Sequence, residues 1–226
     1  MSIMNQNTII KLENVFVNLK SNIETIEVLK GINLNILANK SICIMGHSGA
    51  GKSTLAMTIA GLENITKGKI FYKDQPIHDL KEDDLADYRA KNVGIIFQSF
   101  NLLPSMTALE NVNLPLEISG NFIDDRQSIK LLESVGLENR INHYPHELSG
   151  GEQQRVAIAR SLISSPEIII ADEPTGNLDK KNSEAVIKLI FELQKNHNST
   201  LILVTHDKSI ANFCDEIITL DNGLIL

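Results

Sequence analysis

At positions 46 to 54 the chain has the sequence Gly46-His47-Ser48-Gly49-Ala50-Gly51-Lys52-Ser53-Thr54. This stretch fits the pattern G-x-x-x-x-G-K-S/T, and it lies between an apolar run, Ser41–Met45, and a helical pattern, Lys52–Ala60. Its glycines allow a tight turn in which successive N–H groups point at one anion, and the start of the helix adds a positive field. The stretch therefore predicts a phosphate-binding loop between a strand and a helix of an α/β fold.

All nine residues of this phosphate loop (positions 46 to 54) are candidates for contact with a nucleoside triphosphate. Among them, Lys52 supplies a mobile positive charge for the β- and γ-phosphates, and the Ser53 hydroxyl is a candidate ligand for Mg²⁺. By itself the loop fits a small-molecule kinase, a GTPase or a helicase equally well.

A second apolar run, Ile168–Ala171, ends in two acidic residues, Asp172 and Glu173. In an open α/β sheet, a buried strand delivers such residues to the edge where ligands bind. We expect Asp172 to hold Mg²⁺ through its water shell. We expect Glu173, which points elsewhere, to accept a proton from an attacking water.

Short apolar runs alternate with helical patterns along the rest of the chain. The predicted strands are Thr8–Val15, Ile32–Leu37, Ser41–Met45, Lys69–Tyr72, Val93–Phe97, Glu167–Ala171, Thr200–Val204 and Glu216–Leu220. The predicted helices are Lys52–Ala60, Asp83–Lys91, Asp125–Val135, Glu152–Ile163 and Asn182–Lys195. Several strands are apolar throughout, as strands covered on both faces are, so we predict a mostly parallel sheet with helices on both sides. The first quarter alternates more, which predicts an antiparallel β subdomain.

Composition narrows the class of protein. The chain has 226 residues, 42% hydrophobic and 22% charged, which suits one folded domain. A net charge of -7 without a basic run argues against nucleic acid as a partner. Two cysteines, Cys43 and Cys214, are too few for a disulfide framework, so we expect reduced thiols. We find no signal-peptide pattern and no apolar run of roughly 20 residues, so a membrane role requires a partner.

Positions 148 to 155 have the sequence Leu148-Ser149-Gly150-Gly151-Glu152-Gln153-Gln154-Arg155. A serine and two glycines at the start of a helix form a second anion site. The segment resembles the LSGGQ signature of the ATP-binding-cassette (ABC) family, with Glu152 at the fifth position. The resemblance implies that Ser149, Gly150 and Gly151 of one subunit close over the phosphate loop of another, so that hydrolysis of ATP requires a head-to-tail dimer.

Three further segments match ABC motifs in the family's order. Gln98 matches the Q-loop, which contacts Mg²⁺ or the attacking water. Asp179, at the end of Gly176-Asn177-Leu178-Asp179, matches the D-loop that crosses the dimer interface, and His206 matches the switch histidine that reaches the γ-phosphate. The resemblance implies a P-loop NTPase core with an N-terminal β subdomain. It also implies a single domain over 1–226, with a helical signature subdomain inserted at about 99–164.

The segments Val93–Val112 and Asp172–Asp179 resemble the LolD/MacB/YbbA branch of the family. That branch implies an ATPase that uses ATP and Mg²⁺ at the cytoplasmic face of the inner membrane, bound to a permease with a periplasmic domain. The implied cargo is a lipoprotein, peptide, drug or other amphiphile. The implied dock for the permease is Gln98–Pro104, and the alternative is that Phe100, Leu102 and Leu103 pack within the helical subdomain.

The resemblance departs from the family at the position that stacks on adenine. The family usually has an aromatic residue there, whereas this chain has Leu19, so either Leu19 or Phe16 contacts the base. Weaker selectivity for adenine is an expected consequence.

Three other kinds of protein share some of these motifs. ABC ATPases of DNA maintenance require a long coiled-coil insertion, but fewer than a hundred residues separate the phosphate loop from the signature here. Ribosome-associated members resemble two fused cassettes. A module that binds ATP without hydrolysing it is disfavoured by the presence of Lys52, Asp172, Glu173 and His206.

Overall fold

Residues 7–20 and 24–226 are described by the computed structural model, and the chain divides into two units. The first unit contains the chain up to Arg89 together with Thr200–Leu226, and the second unit is Ala90–Ser199.

The strands, in chain order, are β1 (Thr8–Lys20), β2 (Thr25–Leu37), β3 (Ser41–Met45), β4 (Lys67–Tyr72), β5 (Gln75–Pro76), β6 (Val93–Phe97), β7 (Ile168–Asp172), β8 (Thr200–Val204), β9 (Glu216–Asp221) and β10 (Leu224–Ile225). The helices are α1 (Lys52–Ile59), α2 (Glu82–Asn92), α3 (Ala108–Ile118), α4 (Asp125–Ser134), α5 (Gly150–Leu162), α6 (Lys180–Asn196) and α7 (Lys208–Ala211). A short 3₁₀ turn, Pro145–Glu147, precedes α5.

An antiparallel sheet in the order β2-β1-β4-β5 begins the first unit, which confirms the predicted β subdomain. Strand β1 continues beyond Val15. The prediction ended there because the strand contains a bulge. Asn14 has a φ of 50°, its N–H donates to Asn33 Oδ1 at 3.0 Å, and the pairing with β2 shifts between Leu12 and Val15. A bulge interrupts the two-residue alternation by which a strand is recognised in sequence.

A second sheet in the first unit has the order β10-β9-β3-β8. Strand β3 pairs in parallel with both β8 and β9, and β10 pairs antiparallel with β9. The central strand is covered on both faces, since Ile42, Cys43 and Ile44 are each at most 2% exposed. The predicted mostly parallel arrangement is therefore confirmed, and β3 leads directly into the phosphate loop.

The second unit contains the parallel pair β6 and β7 and the helices α3 to α6. Gly94 of β6 lets α5 lie close to the strand, because a Cβ at this position would be 2.1 Å from the carbonyl oxygen of Ser161. In the β6–β7 register, Phe97 pairs with Asp172. The residues that follow both strands therefore leave the sheet at neighbouring points.

Helix α3 was absent from the sequence-based prediction. It has an interior proline, Pro115, which cannot donate the usual backbone hydrogen bond and lowers the helical signal. A capping box opens the helix: Thr107 accepts from the Glu110 N–H, and the Glu110 carboxylate accepts from the Thr107 N–H at 2.7 Å. This pattern of Thr and Glu three residues apart is the signal that would have identified α3.

The N-termini of α5 and α6 were predicted two residues too late. In both helices a capping side chain lies earlier than the first strongly helical residue, namely Ser149 for α5 and Asp179 for α6. The short elements β5, β10 and α7 were also missed, because two to four residues are too few to establish a periodic pattern.

Cys43 and Cys214 are both thiols without a disulfide; Cys43 is buried and Cys214 is half-buried. The Cys43 thiol and burial raise the pKa of Cys214. Over residues 7–20 and 24–226, no helix has the combined length and hydropathy needed to cross a membrane.

Candidate active site

Two glycines of the phosphate loop lie so close to neighbouring strands that a side chain would not fit without a shift. Gly46 has a φ of 152°, and a Cβ there would be 2.2 Å from the carbonyl oxygen of Leu220 in β9. Gly51 has a φ of 99°, and its Cβ would be 3.1 Å from the carbonyl oxygen of Val28. The backbone of the loop is therefore packed between β9 and β2.

Lys52 is the buried cation of this loop. The residue is 9% exposed, and Nζ donates to the carbonyl oxygen of His47 at 3.0 Å. The same carbonyl accepts from the Ala50 N–H at 3.2 Å. The ammonium group thus lies over the loop, where a phosphate oxygen is a better acceptor than a neutral carbonyl.

The end of β9 and the turn that follows it contact the phosphate loop. Nε2 of His47 lies 2.9 Å from Asp221 Oδ1, and the Gly223 N–H donates to the Ala50 carbonyl at 3.1 Å. The Gly223 carbonyl in turn accepts from the Lys30 N–H at 2.9 Å. This support could not be predicted from local sequence patterns, because 174 residues separate His47 from Asp221.

His206 lies beside the entry to the phosphate loop. The preceding residue, Thr205, continues the parallel pairing of β8, since its N–H donates to the carbonyl of Ile44 in β3 at 3.3 Å. His206 is exposed, and Asp207 caps α7 by accepting from the Ser209 hydroxyl and N–H. These hydrogen bonds lower the pKa of Asp207, so the residue after the histidine carries a negative charge at neutral pH.

In the second unit, the predicted metal carboxylate and general base lie at the end of β7. Because Phe97 pairs with Asp172, Gln98 and Glu173 follow neighbouring strands at the same sheet edge. Glu173 has a φ of 46°, a left-handed conformation that is uncommon for a residue with a side chain. Its carbonyl accepts from the Gly176 N–H at 3.0 Å, which closes a tight turn. Such strained backbone clusters at functional sites.

Two amide hydrogen bonds join Gln98 to Asn177. Gln98 Nε2 donates to Asn177 Oδ1 at 3.3 Å, and Asn177 Nδ2 donates to the Gln98 carbonyl at 3.0 Å. The second unit therefore holds Gln98, Asp172 and Glu173 in one connected region.

The signature begins α5 with a complete capping box. The Ser149 hydroxyl donates to Glu152 Oε2 at 2.7 Å, and the Ser149 N–H donates to the same oxygen at 2.8 Å. Arg140 Nε donates to the other oxygen, Oε1, at 3.0 Å. The Ser149 side chain, the Ser149 N–H and Arg140 together lower the pKa of Glu152 to about 2. The departure from glutamine at this position therefore places a fixed negative charge behind the signature serine.

Asp179 caps α6 next to the signature. It accepts from the Asn182 N–H at 3.1 Å and from the Asn182 side-chain amide, and these hydrogen bonds lower the pKa of Asp179. A Cβ on Gly151 would be 3.1 Å from Asn182 Oδ1, so the starts of α5 and α6 lie against each other. The structure thus brings Ser149–Gly151 and Asp179 together.

Comparison with known proteins identifies the family. A sequence model of the ABC transporter family matches residues 29–176, which is more than half of the chain. The chain belongs to the ABC transporter family. The prediction from the phosphate loop, the acidic strand and the signature is confirmed.

Individual ABC relatives agree with the predicted branch. The chain is 44% identical over 200 residues to the ABC transporter ATP-binding protein YbbA of Escherichia coli (strain K12), covering 88% of each chain. It is 43% identical over 204 residues to the lipoprotein-releasing system ATP-binding protein LolD of Cytophaga hutchinsonii, covering 89% of this chain and 93% of that one. These relatives place it among the ATP-binding proteins of the family.

A solved structure confirms the ABC ATPase fold. The chain is similar to the ATP-binding cassette MJ0796, a dimeric structure of a post-hydrolysis state bound to ADP and Pi. The TM-score is 0.88 at 40% sequence identity, and the match covers 96% of each chain.

Two residues of the ABC signature helix α5 hold loops next to predicted site residues, and the sequence analysis did not foresee them. Gln154 is fully buried, and its Nε2 donates to the Pro174 carbonyl, next to Glu173, at 2.7 Å. Arg160 donates to the carbonyls of Phe100 and Asn101 at 2.7 and 2.6 Å, and burial lowers the pKa of its guanidinium. Their positions in α5 gave no signal in the sequence, since the bonds reach loops 20 and 59 residues away.

The predicted dock for an ABC permease has a mixed exposure. Leu103 is 40% exposed and Pro104 is exposed, whereas Phe100 and Leu102 are half-buried. The loop is folded by Asn111, whose side-chain Nδ2 donates to the Leu103 carbonyl at 3.2 Å and to two further carbonyls. Phe100 and Leu102 are therefore partly packed within the second unit, whereas Leu103 and Pro104 are open to solvent, and docking itself stays a prediction.

The two candidates for adenine contact differ in their surroundings. Leu19 is 39% exposed and pairs across the hairpin with Ile26, which is 51% exposed. The ring of Phe16 is half-buried, with Lys67 Nζ 5.5 Å from its centroid. The exposed apolar surface therefore belongs to Leu19.

Proposed function

We propose that this chain is the ATP-hydrolysing subunit of an ABC transporter and acts as a head-to-tail dimer that drives a separate membrane subunit. The observation that carries the proposal is the β6–β7 register, which sets Gln98 beside the Asp172–Glu173 pair. The glycine-held phosphate loop and the capped signature provide two further sets of N–H groups that fit phosphate oxygens.

In this proposal the phosphate loop, Gly46–Thr54, binds the phosphates of ATP. The glycine cradle fits them, because a side chain at Gly46 would collide with backbone. The oxygens of Ser53, Asp172 and Gln98 are the ligand type that Mg²⁺ prefers. When bound, Mg²⁺ would neutralise charge on the phosphate oxygens.

The chain's own groups then have separate tasks in hydrolysis. Glu173 accepts a proton from the water that attacks the γ-phosphorus, so ADP and phosphate are released. Lys52 moves from the His47 carbonyl to phosphate oxygens, and His206 donates to the γ-phosphate. Ser149, Gly150 and Gly151 of the second subunit complete the site, with Asp179 at the interface between subunits.

The names of the relatives support a transport role for this ATPase. LolD is the ATP-binding protein of a lipoprotein-releasing system, and MacB of Rhodopirellula baltica is a macrolide export ATP-binding/permease protein. We therefore infer export or extraction of an amphiphilic cargo through a permease with a periplasmic domain. The permease would dock near Gln98–Pro104 and hold the chain at the cytoplasmic face of the inner membrane.

The first test replaces the proposed base. Glu173→Gln keeps the size of the side chain but removes its proton acceptor, so we expect ATP hydrolysis to fall by about 10²–10⁴-fold. Binding of ATP is expected to persist, and size-exclusion chromatography with Mg-ATP should show a dimer. Glu133→Gln, at an exposed position of α4, serves as the matched control. Unchanged turnover in Glu173→Gln would exclude Glu173 as the base.

The second test identifies the partner. Tagged Glu173→Gln protein is purified from detergent-solubilised membranes with Mg-ATP, and the eluate is analysed by mass spectrometry. A polytopic membrane protein with a periplasmic domain is expected. Ribosomal or DNA-bound proteins in its place would favour a non-transport ABC ATPase.

A further inference from the structure

We propose that Asn177 is a positioning residue that orients the amide of Gln98 for the hydrolysis of ATP. The inference rests on the proposed function, because it assigns Gln98 to Mg²⁺ and the attacking water. Asn177 itself acts only through Gln98.

The two hydrogen bonds between these residues fix Gln98 at two points. Asn177 Nδ2 holds the backbone through the Gln98 carbonyl at 3.0 Å, and Asn177 Oδ1 holds the side chain through Nε2 at 3.3 Å. Because the nitrogen of the Gln98 amide is engaged, its oxygen Oε1 is the atom that remains for a ligand. An oxygen is what Mg²⁺ or a water proton requires, so the orientation matters for chemistry.

The adjacent Gly176 provides independent support. A Cβ at Gly176 would be 2.6 Å from Gln98 Nε2 and 2.9 Å from its Cδ. The Gln98 side chain therefore occupies the space that any other residue at position 176 would fill. Since the Gly176 N–H also donates to the Glu173 carbonyl, the same turn that contacts Gln98 through Gly176 and Asn177 contains the proposed base.

The experiment compares Asn177→Ala, which loses both hydrogen bonds, with Asn177→Asp, which keeps the acceptor and loses the donor. The readout is the Mg²⁺ concentration that gives half-maximal ATP hydrolysis at saturating ATP. We expect Asn177→Ala to raise this Mg²⁺ concentration about tenfold, because the free energy of one or two hydrogen bonds corresponds to about that factor. Asn177→Asp is expected to raise this Mg²⁺ concentration about threefold, because it loses one of the two hydrogen bonds. Asn139→Ala, on an exposed turn, is the control.

A double-mutant cycle with Gln98→Ala separates positioning from general stability. In the Gln98→Ala background, Asn177→Ala should have no further effect on the Mg²⁺ requirement. Gly176→Ala should reproduce the Asn177→Ala phenotype by displacing the Gln98 amide, even if Asn177→Ala folds poorly. Effects of Asn177→Ala and Gln98→Ala that multiply would overturn the inference.

A second readout does not depend on hydrolysis. Hydrogen exchange of the ligand-free protein should become faster at residues 97–101 in Asn177→Ala, with no change at residues 149–152. Unchanged exchange at residues 97–101 would overturn the inference. If wild-type protein hydrolyses no ATP, the proposed function fails, while the exchange result still decides whether Asn177 holds Gln98.

Discussion

Gly46 is constrained at the residue scale by its neighbours as well as by its own backbone angles. Its φ of 152° disfavours a side chain, and the Leu220 carbonyl occupies the place where a Cβ would be. Gly49, three residues on, has a φ of 82° but open space around the same position. Substitution of Gly49 therefore introduces backbone strain alone, whereas substitution of Gly46 introduces strain and a steric clash.

Gly49→Ala is expected to lower the free energy of unfolding by about 1–2 kcal/mol, the cost of the left-handed conformation. Gly46→Ala should lower it by about 3 kcal/mol or more, because the clash with backbone adds to the strain. Urea denaturation of both variants measures the difference. Equal losses would mean that β9 shifts freely and that the contact with Leu220 is unimportant.

Glu152 should make stability depend on pH in the acidic range. Its pKa falls from 4.5 to about 2 on folding, because the Ser149 hydroxyl, the Ser149 N–H and Arg140 stabilise its charged form. A lowered pKa contributes stability above pH 4.5, and this contribution is lost as the pH falls towards 2.

Glu152→Gln should therefore be less stable than wild type at pH 6 and approach it as the pH falls to 3. Urea denaturation at several pH values provides the measurement. A gap between the two proteins that stays constant with pH would show that the carboxylate is not held in this way.

Single residues could be predicted from sequence where the chemistry is local. Lys52 and Ser53 lie within the phosphate-loop pattern, and Ser149 lies within the signature, so a local pattern predicted a role for each of them. His47 with Asp221 and Gln98 with Asn177 could not be paired in advance, because sheet order brings each pair together.

At the element scale, α5 contacts several loops of the second unit. Its N-terminus carries the signature, Gln154 near its middle reaches the Pro174 carbonyl, and Arg160 near its end holds Phe100 and Asn101. Phe100 and Asn101 have φ values of 59° and 51°, so two successive residues are left-handed. Such a loop persists only when surrounding groups hold it.

Arg160→Lys should release the loop at Phe100 and Asn101. Lysine cannot place two donors in the fork that reaches both carbonyls, so we expect a loss of about 1.5–3 kcal/mol in the free energy of unfolding. Limited proteolysis should also cut residues 99–104 faster. Arg126→Lys is the control, because the Arg126 side chain is 90% exposed. A loss no larger than that of the control would show that other contacts hold the loop.

Elements with a long, regular pattern were predictable, whereas their ends and irregular members were not. The strands Ser41–Met45, Val93–Phe97 and Thr200–Val204 were predicted with their observed bounds, because each is a continuous apolar run. The proline in α3 and the bulge in β1 broke the periodic signal on which the prediction relied.

At the scale of the whole molecule, the family and fold followed from the motifs, but the assembly is a proposal. Each unit contains part of the predicted ATP site: the phosphate loop and His206 are in the first, and Gln98, Glu173 and the signature are in the second. The cargo could not be predicted, because the residues of an ATPase contact nucleotide rather than cargo.

Mixing two inactive variants tests the head-to-tail arrangement. Lys52→Ala removes the phosphate-loop cation, and Gly151→Asp places a side chain and a charge in the signature. In a head-to-tail mixed dimer, one site contains the altered phosphate loop and the altered signature. The other site contains the two unaltered segments and is intact. After random mixing, half of the dimers are mixed, and each mixed dimer has one intact site of its two. About a quarter of wild-type hydrolysis should therefore be restored. No recovery would mean that each chain uses its own signature or that both sites must be intact.

The support behind the phosphate loop also has a consequence for biosynthesis. Gly46 is made early, but the Leu220 carbonyl that packs on it and the Gly223 N–H that bonds to Ala50 are made more than 170 residues later. A nascent chain that has emerged from the ribosome only as far as α6 has the phosphate loop without its backing. Competence to bind ATP should thus arise only once β9 has left the exit tunnel.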